Sequence, residues 1–101
     1  MAHLESDFQG KLIKDLKQMF PGCVIQKLDT SYQQGIPDLL ILWKTRWAVL
    51  ECKRKMPTSP RDWEPNQEYF IAQLNEMSFS AMICPENKNE VLRALEQSLR
   101  A

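Results

Sequence analysis

Gly35-Ile36-Pro37-Asp38-Leu39-Leu40-Ile41-Leu42-Trp43-Lys44-Thr45-Arg46-Trp47-Ala48-Val49-Leu50-Glu51-Cys52-Lys53 is the stretch whose reading decides the fold. Leu39-Leu40-Ile41-Leu42-Trp43 and Trp47-Ala48-Val49-Leu50 are apolar runs of strand length, and the polar Lys44-Thr45-Arg46 between them reads as a hairpin turn. An even loop, either Lys44-Thr45 or Trp43 to Arg46, sets Asp38 directly opposite Glu51; an odd loop breaks that pairing. Side chains alternate along a strand, so Lys53 joins Glu51 on one face while Cys52 turns into the packed layer. Runs this apolar on both faces predict central, buried strands, in which unpaired charge is expensive. Two cross-strand carboxylates also repel, which calls for a cation between them. Lys53 partly serves. A hard divalent ion serves better, since Mg²⁺ is held by one or two carboxylates together with substrate phosphate. The bland alternative is a surface ion pair, which is what most isolated acid-x-lysine patterns are.

Outward from the hairpin, the pattern is α-β-β-β-α-β-α. Leu4, Phe8, Leu12, Ile13, Leu16, Met19 and Phe20 recur at helical spacing until Pro21-Gly22 stops them. Glu5 and Gln9, one turn apart, border that stripe. Residues 23–28 read as a first strand and 29–35 as the polar loop into the hairpin, where Ser31, Tyr32, Gln33 and Gln34 either contact a nucleotide or simply connect. Gly35 permits a tight backbone path before Pro37, whose fixed φ suits a strand start. Three prolines make residues 56–66 a loop. Pro65 suits a helical first turn, with Gln67 close behind and Phe70, Ile71, Leu74 and Met77 as the apolar face. Residues 79–84 read as a fourth strand. Asn87 with Glu90 resembles a capping box opening a last helix that turns Val91, Leu92, Leu95 and Leu99 inward.

A chain of 101 residues, 44% apolar and 26% charged, suits one domain spanning 1–101. Cys23, Cys52 and Cys84 show no metal-ligand spacing and read as buried free thiols in a reducing cytoplasm. The first residues lack a signal-peptide pattern and no run reaches membrane-spanning length, so a cytoplasmic, membrane-free protein is expected. His3 is the only histidine, which removes Ser-His and most Cys-His schemes. Net charge is zero, yet Lys44, Arg46, Lys53, Arg54, Lys55 and Arg61 face the single acid Glu51 between positions 44 and 61. A basic stretch around a metal site is what phosphate binding requires. A solvated basic loop is the competing reading for each of these residues, and Arg54 and Lys55 are the strongest DNA-binding candidates.

Gly35-Ile36-Pro37-Asp38-Leu39 followed by Glu51-Cys52-Lys53 resembles the PD-(D/E)XK nuclease signature. The chain is most similar to the small virus-type replication-repair nuclease (VRR-NUC) domains, with Glu5 and Gln9 in the first helix and Gln67 opening the helix after the motif. The resemblance covers nearly the whole chain. It implies a restriction-endonuclease-like three-layer α/β core, with a central mixed four-stranded sheet flanked by helices. It further implies a Mg²⁺-dependent DNA endonuclease, Mn²⁺ substituting, in which Asp38, Glu51, Glu5 and the Cys52 backbone carbonyl hold metal. Asp7 competes with Glu5 for that role. Lys53 would orient the attacking water and stabilise the transition state, and Gln67 would order the site. Small stand-alone members resolve branched DNA such as Holliday junctions as homodimers, in viral or bacterial replication, recombination or repair. That would place a viral protein in the host cytoplasm. Two other classes compete: a noncatalytic nucleic-acid-binding module of the same fold, and an α/β interaction protein in which Asp38, Glu51 and Lys53 form a buried ion-pair cluster.

Overall fold

The hairpin has the even loop. In the computed structural model, which describes residues 4–29 and 31–101 but not the side chains of Leu4 and Glu5, β2 (Leu39–Trp43) pairs antiparallel with β3 (Arg46–Cys52). Trp43 stands opposite Arg46 and Leu39 opposite Leu50, so only Lys44 and Thr45 lie in the turn. Lys44 takes a left-handed conformation, φ 58°, to make a turn this tight. Continuing the register by one residue sets Asp38 across from Glu51.

Two further strands complete one mixed sheet in the order β1-β2-β3-β4. β1 (Val24–Lys27) is antiparallel to β2, and β4 (Phe79–Ile83) is parallel to β3. The parallel connection needs a crossover, and the loop with helix α2 (Gln67–Met77) provides it. Helices α1 (Leu4–Met19) and α3 (Lys88–Arg100) lie together on one face. There Leu12, Leu16 and Phe20 meet Leu39, Ile41, Trp43, Ala48, Leu50, Cys52 and Ile83 from the sheet and Val91, Leu95 and Leu99 from α3. Lys88 pairs with Asp15 at 2.6 Å and Arg100 donates to the Met19 carbonyl at 2.6 Å, clamping α3 to α1 at both ends. α2 flanks β4 and brings Gln67 over the other face. The expected order and the mixed four-stranded sheet with helical layers are therefore present.

Four details depart from the sequence expectation. β2 is not buried on both faces: Leu42 is 41% exposed and its cross-strand partner Val24 is 48% exposed, because α2 covers only the β4 end of that face. Pro65 lies outside α2, whose N-cap is Asn66 at φ 72°. The Asn87 capping box does not form; its side chain instead accepts from the Cys84 amide and donates to the Met82 carbonyl, tying β4 to the turn before α3. Cys23 is only half-buried, whereas Cys52 and Cys84 are buried, and all three thiols are free. Among the described residues no helix is long and apolar enough to cross a membrane.

Candidate active site

The alternation of β3 separates its two faces. Cys52 packs into the apolar core, and Glu51, though only 4% exposed, points to the side covered by α2. Such burial of a carboxylate requires partners. Gln67, also 4% exposed, is one: its Nε2 donates to Glu51 Oε2 at 2.7 Å. The amide oxygen of Gln67 accepts from Lys53 Nζ at 3.0 Å and from the Glu64 backbone N–H at 3.0 Å. With its donor on the carboxylate and its acceptor on the ammonium, the amide is oriented by the charges themselves. Lys53 Nζ stands 4.0 Å from Glu51 Oε2, so the two charges attract each other mainly across the amide. The Lys53 ammonium also lies over the Trp63 ring, 5.1 Å from its centre.

Asp38 reaches the same end of the sheet from just before β2. Its Oδ2 accepts from the Cys52 backbone N–H at 2.9 Å. Burial pushes the Asp38 carboxyl above its usual range, and the nearby Glu64 carboxylate adds to that rise. The Cys52 amide and the Lys53 ammonium oppose it without cancelling it. Negative charge is thus costly at this position.

Gly35 holds the arrangement together from below. At φ 95° it packs so closely on the turn before α2 that a Cβ would lie 2.7 Å from the Asn66 carbonyl carbon and 2.7 Å from the Pro65 oxygen. The loop that delivers Asp38 therefore seats against the turn that delivers Gln67. A glycine is required there on both conformational and steric grounds.

The predicted residues do not all meet. Asp38, Glu51, Lys53 and Gln67 come together, and Arg54 and Lys55 adjoin them in an open cleft of about 200 Å³ next to Lys53. Arg61 is exposed in the short 3-10 turn Pro60–Asp62, which Asp62 holds by accepting from the Thr58 and Ser59 amides. Lys44 and Arg46 lie at the opposite end of the hairpin. The Glu5 side chain lies outside the described residues. Asp7 lines a separate cleft with Lys11, Lys14 and Asp15. Tyr32 is 92% exposed in the loop before Asp38. Sequence reasoning missed the Trp63 and Glu64 contributions, since a proline-rich loop carries no periodicity that would aim them at Lys53 and Gln67.

Two carboxylates suit a hard cation, and among the described residues no thiolate joins them, because the Cys52 side chain faces the core. The cost of charge at Asp38 is what a bound cation would relieve. Among the described residues no cluster of three or more acidic, histidine or cysteine ligands is assembled, so a third protein ligand would come from the Cys52 carbonyl or from Glu5. Burial also raises the Cys23 and Cys84 thiols, which leaves both poor nucleophiles. No protein-family model, curated protein or solved structure matches the chain.

Proposed function

We propose that the chain is a Mg²⁺-dependent DNA endonuclease, with Mn²⁺ able to substitute, that hydrolyses phosphodiester bonds in branched DNA such as Holliday junctions. The observation that carries this reading is the Glu51–Gln67–Lys53 network set beside Asp38 at one end of the hairpin. Asp38 and Glu51, with the Cys52 carbonyl and Glu5, are the residues that would hold the ion. A divalent ion bound there lowers the pKa of a coordinated water and neutralises charge developing on the phosphate.

The remaining work falls to the chain. Gln67 fixes the Lys53 ammonium at the edge of the carboxylate pair, where it stabilises charge on the scissile phosphate without reorganising. Arg54 and Lys55 supply contacts to flanking phosphates, and Arg61 lies on the same loop. Val24, Leu42 and Trp47, cross-strand neighbours on the partly open sheet face, offer a surface for a second copy in a homodimer. Three free cysteines fit a reducing cytoplasm, the host's if the protein is viral, and the chemistry fits replication, recombination or repair.

The test is a panel of labelled four-way junction, flap, duplex and single-stranded DNAs with Mg²⁺. Junction cleavage is expected; Lys53→Ala should abolish it while calorimetric Mn²⁺ binding survives, and Asp38→Ala should remove both. A protein that cuts none of these with either metal sinks the proposal. One observation favours a second reading. Glu51, Gln67 and Lys53 already bond to one another, as a structural ion-pair cluster in an α/β interaction protein or a noncatalytic nucleic-acid-binding module would require. Absence of Mn²⁺ binding selects that reading.

A further inference from the structure

Lys44, Arg46 and Arg100 converge from three elements on a cleft of about 300 Å³ beside Trp43. Lys44 Nζ lies 4.5 Å from the centre of the Trp43 ring and the Arg100 guanidinium 4.8 Å from it. The ring itself is anchored, since its Nε1 donates to the Pro21 carbonyl at 2.9 Å. Cations held over an anchored ring lose less freedom on binding an anion than free surface chains do. Arg100 spends one donor on Glu96 and one on the Met19 carbonyl, out of the five that a guanidinium carries. Among the described residues Glu96 is the only acid bonded to any of the three cations.

Lys44 holds the left-handed turn position at φ 58°, where glycine or asparagine is preferred.

The place of this cleft matters more than its charge. Arg46 pairs with Trp43, and both lie on the α1/α3 face of the sheet, as do Leu99 and Arg100 of α3. Glu51, Lys53 and Gln67 lie on the other face and at the other end of β3. Five residue steps from Arg46 to Glu51 span about 17 Å, the axial length of roughly five base pairs. A straight duplex following the candidate active site stays on one face of the sheet. The cleft between the hairpin tip and the end of α3 lies away from that path.

Resting on the nuclease reading, we propose that Lys44, Arg46 and Arg100 form a second phosphate-binding site that takes a different arm of a branched DNA from the arm presented to Asp38 and Glu51. Preference for branched over linear DNA then resides in this cleft. The Lys53–Lys55 cleft supplies the grip on the arm that is cut.

The experiment compares wild type with the double variant Lys44→Gly, Arg46→Gln. Glycine relieves the turn strain and Arg100, which helps clamp α3 to α1, is left in place, so thermal unfolding should show an intact fold. Dissociation constants for a labelled four-way junction and for a linear duplex of equal length are measured in EDTA across a salt series. Wild type should prefer the junction. The variant should lose at least tenfold of that preference, and its junction salt slope should shrink by about 2, one unit per phosphate contact removed. An unchanged ratio of junction to duplex affinity overturns the second site. So does a wild type that binds both DNAs equally. A wild type that binds neither in EDTA likewise overturns the second site, whereas the nuclease reading is overturned separately, by absence of cleavage of the DNA panel with Mg²⁺ and Mn²⁺.

Discussion

Replacing Gln67 by leucine tests the central geometry of the site. The side chain is buried, of similar size to leucine, and holds three hydrogen bonds: to Glu51, to Lys53 and to the Glu64 amide. Two of these involve charged groups, and such bonds contribute about 1.5–3 kcal/mol each, which sets a ceiling of about 3–6 kcal/mol. Part of that returns, because Lys53 starts 4.0 Å from Glu51 and can close directly onto it. The net loss expected for Gln67→Leu is therefore about 2–3 kcal/mol, equivalent to a fall in Tm of roughly 10–20 °C for a domain of this size. Urea unfolding followed by circular dichroism measures it, with an unchanged m-value confirming that the unfolding transition is the same. A companion cycle with Lys53→Met should show a coupling energy of about 1–2 kcal/mol. A loss below about 0.5 kcal/mol, or additive single and double variants, would refute the bridging role assigned to Gln67.

Three further outcomes are expected. Gly35→Ala forces a Cβ against the Pro65–Asn66 backbone at a positive φ, so it should cost at least about 2 kcal/mol in unfolding free energy; a neutral effect would mean that the two loops do not seat as described. Asp38 is raised by folding, so the folded chain retains its proton to higher pH and the carboxylate weighs against stability at neutral pH. In metal-free buffer Asp38→Asn should therefore be more stable than wild type at pH 7, with the gap closing below about pH 4, and a gap that persists in acid would contradict the burial argument. Mn²⁺ at a hundredfold excess over its Kd should stabilise wild type by about 2.7 kcal/mol in thermal unfolding and leave Asp38→Ala unchanged; equal shifts in both proteins would place the ion elsewhere.

Local pattern carried much of this molecule. Two apolar runs separated by a short polar turn determined the hairpin, and the period of two put Glu51 and Lys53 on one face with Cys52 in the core, as the structure has them. Helical spacing in the first and last segments likewise marked the residues that meet on one face of the sheet. These features depend on neighbours within a few positions, and sequence displays such neighbours directly.

Tertiary structure decided the rest. Whether the loop was even, and so whether Asp38 faces Glu51, depended on Lys44 accepting a left-handed conformation that composition does not announce. The Asn87 side chain was drawn from its cap by the end of β4, and Val24 and Leu42 stay exposed because α2 covers only the far side of their face. Gln67 could be read as a surface residue until the packing of Gly35 on Asn66 swung it over Glu51 and Lys53. The basic residues of one continuous stretch were parted onto two ends and two faces of the sheet, since β3 carries its two termini about 20 Å apart. Sequence alone therefore determined which residues alternate and which stripes are apolar. Only the fold decided which charges meet, because that depends on contacts between segments far apart in the chain.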